Sequence, residues 1–359
     1  MGESQSLETY LTRRFGTLDP TTTIPAPAQA HIDWWRQGPA SKDATTADLV
    51  SDLAQFRIDV AEGASNSSRY QRLIREFQVP GPDDVATEPV FIDPDGIETR
   101  IHEHAAGPLP VVACRERIDF ERCFRTLAGR CEPIDVPKAV HALYLAGLPN
   151  PARTREIQEA WLASGGLQPD WPAEVRARRT ADPTTFHDQL ILVHDAPYAG
   201  LAASAVDPSY SERDWLERSR ILRLEHEFTH HTTNRLLGSY RLHVLDELYA
   251  DFMGFTKAMG RFDARVFLAG LGIKNDKVAD DGRLWTYVRD LEHSGIEELV
   301  EIAARCAANL EAIAPRFITD DRMRLRRLLL LSGADMRELG EDGWPARFSD
   351  RLDQLDRDA

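Results

Sequence analysis

Lysine is scarce in this chain and cysteine scarcer, and basic charge is outweighed. There are 43 Lys and Arg against 58 Asp and Glu, a formal net charge of −15. That sign excludes a general nucleic-acid-binding face and makes an anionic bilayer an equally poor partner. No basic stripe interleaved with aromatics interrupts it, and the preference for arginine over lysine fits a GC-rich genome without pointing to a function. Nowhere does a run approach the ~20 apolar residues that span a bilayer. Met1–Asp19 lacks a basic segment followed by an apolar one, so a secretory leader is not expected. The four cysteines, Cys114, Cys123, Cys131 and Cys306, form neither a CxxC pair nor a zinc knuckle. Reduced, buried thiols in a cytoplasmic protein are the expectation. Internal repeats are absent as well. What remains is a 359-residue chain, 42% apolar, with the composition of a soluble globular protein. It is long enough for one large domain or two coupled ones.

Against that background, residues 226–230 read His-Glu-Phe-Thr-His, and Asp246-Glu247-Leu248-Tyr249-Ala250-Asp251 follows about four helical turns later. On a helix, positions i and i+4 share a face, so His226 and His230 can aim two imidazoles at one ion. Glu227 stands beside them as a base for a water held there. Glu247, Ala250, Asp251 and Gly254 share a face of a second helix by their spacing of three and four. From it Glu247 can reach the ion, while Asp251 can accept the outer N–H of a ligating histidine. Ala250 and Gly254 are small enough to let the two helices approach closely. Three protein ligands leave a fourth position open, which separates a catalytic zinc site from a closed structural one.

The flanking residues support a helix. Ile221, Leu224, Phe228, Thr232 and Leu236 form the expected core stripe, with His226, His230 and Asn234 opposite. Ser211 and Asp214 predict a capping box, and Gly238 a helix stop. The segment reads as one long helix or as two joined near Arg218. A third histidine six residues after His230, the metzincin arrangement, is excluded because Leu236 stands there.

The two clusters together resemble the gluzincin class of zinc metallopeptidases, which carry an HExxH helix and a downstream Glu ligand. Carried over position by position, the resemblance implies that His226, His230 and Glu247 hold one Zn2+ per chain. It implies that Glu227 is the general base and acid, and that Asp251 is the partner of a ligand histidine. It spans roughly residues 215–258. The sixteen residues between His230 and Glu247 are slightly fewer than in familiar members, and Asp246 replaces the usual Asn. The rest of the chain resembles no peptidase subfamily, and looks like an uncharacterised bacterial family with a gluzincin core.

The resemblance implies a mainly helical α+β fold with a zincin-like core and a small sheet. The expected division is a mixed helix and hairpin region at 1–110, a catalytic core at 111–258 and a helical region at 259–359 that closes the cleft. Within it, Ser68–Phe77, Phe120–Gly129, Arg153–Ser164 and Pro137–Ala146 read as helices. So do Ile296–Ile313, Asp320–Leu331 and Pro345–Leu355. A hairpin is expected about the turn Asp93–Gly96, and a further strand at Pro110–Cys114. Asp188–His194 reads as the strongest strand. In zincins a strand in this position commonly forms the sheet edge to which a peptide adds by backbone pairing. That makes His194 and Tyr198 expected substrate contacts, and His231 a further substrate-side or supporting residue. Tyr240, His243, Tyr249, Tyr287 and His293 are all open as donors to an oxyanion.

The function expected is hydrolysis of a peptide or small amide substrate, with no nucleic-acid or membrane partner. Two other classes remain: a biosynthetic zinc enzyme acting on a small metabolite, and a non-catalytic binding or regulatory protein on the same scaffold. An open groove with an exposed strand edge would favour the peptidase, and a narrow pocket without one the metabolite enzyme.

Overall fold

A computed structural model describes residues 6–19, 21–182, 184–289 and 291–358, without the side chain of His293. The fold is α+β and mainly helical. None of the described helices is long and apolar enough to cross a membrane. Two compact units are formed, and the chain passes between them more than once. One holds Pro27–Glu103 and Gly107–Asp195; the other holds the chain up to Ala26, His104–Ala106 and the chain from Ala196. This partition differs from consecutive domains bounded at 110 and 258. The strands before residue 195 complete one sheet, while the helices after it share a core with Tyr10, Leu11 and Phe15.

The first unit is built on a four-stranded sheet of β1 (Ile97–His102), β2 (Leu109–Cys114), β3 (Ala142–Pro149) and β4 (His187–His194), in the order β1-β2-β4-β3. Around it lie α1 (Arg117–Cys123), α2 (Pro151–Ala163) and α3 (Trp171–Ala181). β4 runs parallel to β2 and antiparallel to β3. It is therefore an interior strand, and the expectation of a free edge there is overturned. Its almost wholly buried run of Leu190, Ile191, Leu192 and Val193 fits that place.

Two further expectations fail for identifiable reasons. Residues 89–92 form no strand, because the Asp119 carboxylate accepts the N–H groups of Ile92 and Asp93 at 2.9 and 3.0 Å. β1 pairs instead with β2. Residues 142–149 are strand rather than helix: Tyr144 reaches Gln189 Oε1 at 2.9 Å, and pairing with β4 overrides local propensity. At the start of β4, the fully buried Asp188 accepts from Trp35 Nε1, Asn150 Nδ2 and Arg153 Nε at 2.7–2.8 Å. All four cysteines are buried thiols; the sulfurs of Cys114 and Cys123 lie 3.9 Å apart.

The second unit centres on α4 (Glu212–Leu237) and α5 (Val244–Met259). α4 is a single helix. The Ser211 hydroxyl accepts from the Asp214 N–H, the Asp214 carboxylate returns the bond, and Gly238 at φ 60° terminates it. Residues 225–233 are buried all round, so no single core stripe exists there. Ile221, expected in the core, is 46% exposed, and Leu222 is buried in its place.

A short turn joins α4 to α5 as an antiparallel hairpin. The close approach rests on Gly254, where an added Cβ would lie 2.6 Å from the Leu222 carbonyl oxygen. Behind α5, the rings of Phe252, Phe255, Phe262 and Phe317 pack edge to face with centroids 4.7–5.7 Å apart. α6 (Leu284–Tyr287), α7 (Ile296–Ile313), α8 (Asp321–Leu331) and α9 (Trp344–Arg357) are further helices of the unit.

Candidate metal centre

His226 and His230 stand one turn apart on α4 with their Nε2 atoms 3.0 Å apart. Glu247, in the first turn of α5, places Oε1 3.5 Å from His230 Nε2 and Oε2 3.6 Å from His226 Nε2. Among the described residues, these three form the one group of metal-ligating side chains close enough to hold an ion, with ligand atoms within 4.8 Å of one another. Two donors each ~2.0–2.1 Å from a tetrahedral ion stand roughly 3.3 Å apart. The observed separations bracket that value, so the donor set fits a zinc-sized ion with a position left open.

Asp251, one turn beyond Glu247 and fully buried, accepts from His226 Nδ1 at 2.7 Å through Oδ1. That bond places a proton on Nδ1 and turns Nε2 towards His230 and Glu247. The Tyr198 hydroxyl donates to Asp251 Oδ2 at 2.6 Å, and the Tyr198 N–H donates to Ser219 Oγ at 2.9 Å. Burial and the Asp251 charge raise the Tyr198 phenol well above its usual range. Tyr198, expected at the substrate, instead stands behind His226 and Asp251 with its hydroxyl committed.

Charge at the centre is dense. Glu227 is 7% exposed. Burial disfavours the charged form of His230, but Glu247, Glu227 and Asp246 outweigh it and raise the ring to about 9. Burial likewise pushes Glu247 up, and the His230 hydrogen bond, with the charges of His226, His230 and Arg283, holds it well below the usual carboxylate range. Asp246 is pushed up to about 6 by burial, against the pull of Arg241 at 3.1 Å.

Arg283, which sequence reasoning missed, donates from Nη2 to Glu247 Oε2 at 2.9 Å and from Nε to the Tyr287 hydroxyl at 3.1 Å. Its only advance signal was that several buried carboxylates require a cation. Beside the site, Glu225 meets Arg324 at 3.2 Å and His104 at 3.7 Å. Burial would raise its carboxyl, yet these partners hold it down to about 2.

Other expected residues lie elsewhere. His231 is fully buried with its ring edge-on to Phe228 at 6.2 Å, so it presents no surface to a substrate. His194 belongs to the sheet unit, buried with Nδ1 3.0 Å from His141 Nδ1. Tyr249 donates to the carbonyls of Leu331 and Ala334, and His243 caps α5 while stacked on Tyr10. Of the donors left open by the sequence, Tyr240 lies 5.8 Å from the His230 ring and Tyr287 accepts from Arg283.

No curated protein and no solved structure matches the chain. A family profile does, over residues 2–343, and the chain belongs to that Family of unknown function (DUF7005).

Proposed function

We propose that this protein is a zinc-dependent hydrolase of the metallopeptidase type, acting on a peptide or amide bond. One observation carries the reading: His226, His230 and Glu247 present their donor atoms 3.0–3.6 Å apart with Glu227 adjacent. His226, His230 and Glu247 would hold the ion. When bound, zinc would supply Lewis-acid chemistry, polarising a carbonyl and lowering the pKa of water towards ~7.

Glu227 takes the proton of the attacking water on its carboxylate and returns it to the departing amine. Asp251 keeps the His226 proton on Nδ1, and Tyr198 fixes the second oxygen of Asp251. The interior position of β4 favours a second form of the same reading, in which the substrate is a small amide. The strand expected to take a peptide by backbone pairing has both edges occupied.

The deciding test is Glu227→Gln. The variant should bind zinc one to one, by elemental mass spectrometry, and lose turnover of an amide library that the parent protein cleaves. Retained turnover would remove Glu227 from the reaction, and a parent protein that binds no zinc would end the reading.

A further inference from the structure

A carboxylate offers an ion two oxygens, and a glutamate that uses both takes up a position that substrate or water needs. The two oxygens of Glu247 are not equivalent. Both face a histidine, Oε1 at 3.5 Å from His230 Nε2 and Oε2 at 3.6 Å from His226 Nε2, but Oε2 also accepts a charge-assisted bond from Arg283 Nη2 at 2.9 Å. The same Arg283 nitrogen is 3.9 Å from Asp251 Oδ2, so one cation faces two carboxylates placed a turn apart on α5. Its side chain is only 16% exposed, and its Nε donates to the Tyr287 hydroxyl, which fixes the plane of the guanidinium. The charges also close. A divalent ion and Arg283 balance Glu227, Glu247 and Asp251, and without the arginine the cluster is left one unit negative.

From this geometry we infer that Arg283 is a positioning residue that restricts Glu247 to one-oxygen ligation. It occupies Oε2 and thereby keeps a coordination position open. The inference rests on the zinc reading above and adds to it a residue outside the ligand motif. Two effects are expected when the side chain is replaced. Oε2 turns to the ion, which raises its coordination number, and turnover falls because the open position is lost.

Cobalt(II) in place of zinc reads this without an activity assay, because four-coordinate cobalt absorbs visible light much more strongly than five- or six-coordinate cobalt. The parent protein should give the strong band, Arg283→Met a band several-fold weaker, and Arg283→Lys, which can still donate to Oε2, a band close to the parent's. Equal bands from the parent and Arg283→Met would overturn the inference while leaving the zinc reading intact. Equal weakening in both variants would assign the effect to packing of the guanidinium and overturn it too. A parent protein that takes up neither cobalt nor zinc would overturn both. Should Arg283→Met fail to fold, X-ray absorption on the zinc-loaded parent decides instead: four light-atom ligands are expected, and five with both Glu247 oxygens would refute the assignment.

Discussion

Asp251 accepts from a histidine on one oxygen and from a tyrosine on the other, so asparagine in its place turns one acceptor into a donor. Asp251→Asn should weaken zinc binding by about 10–100-fold, read by competition with a chromophoric chelator, with little change in fold. An unchanged affinity would mean that the His226 tautomer is set by something else. Glu225 gives a prediction in pH. Its folded pKa, about 2, lies below the unfolded value of ~4.3, so its contribution is fully present above ~4.3 and is lost as pH falls towards 2. Urea midpoints should fall across that window in the parent, and the gap to Glu225→Gln should narrow there. A constant gap would show that Glu225 is not ionised in the fold. At this scale the sequence was most legible: His226, Glu227, His230, Glu247 and Asp251 sit on faces fixed by the helical period. Arg283 was not, because it reaches Glu247 only through the tertiary fold, 36 residues away along the chain.

Between elements, the α4–α5 contact depends on a missing side chain. Gly254→Ala would set a Cβ 2.6 Å from the Leu222 carbonyl oxygen, and two helix backbones cannot yield as a flexible side chain would. A cost of about 1–3 kcal/mol is expected from denaturant unfolding, with zinc affinity reduced as Glu247 and Asp251 move off their partners. Full stability in that variant would refute the close approach. The same element shows what the sequence offered and withheld. Ser211, Asp214 and Gly238 announced both ends of α4 because caps are local. The burial of Leu222 and exposure of Ile221 were hidden, since the following residues 225–233 are buried all round and blur the period from which the exposed side is read. β4 was legible as a strand from its apolar run, but its interior place depends on partners at 109–114 and 142–149. Pairing over such distances leaves no local trace.

Across the whole molecule, the proposed ligands and the sheet belong to different compact units. Arg153→Met removes two of the nitrogens around Asp188 and leaves a fully buried carboxylate with Trp35 and Asn150 alone. A loss of about 3–5 kcal/mol is expected by calorimetry. The zinc content of the folded variant should not change, because every proposed ligand lies in the other unit. Loss of zinc from folded Arg153→Met would show that the two units share the site.

The pairs Leu222–Gly254, His226–Asp251 and His230–Glu247 step down the two helices like rungs of a ladder. Their registration is set rung by rung, and the bend between the uprights adds the Arg241 pair to Asp246 and the His243 cap at the start of α5. The sixteen residues between His230 and Glu247 measure how far the ladder extends past its last rung before the chain turns. A longer or shorter bend that kept those two contacts would leave every rung in place.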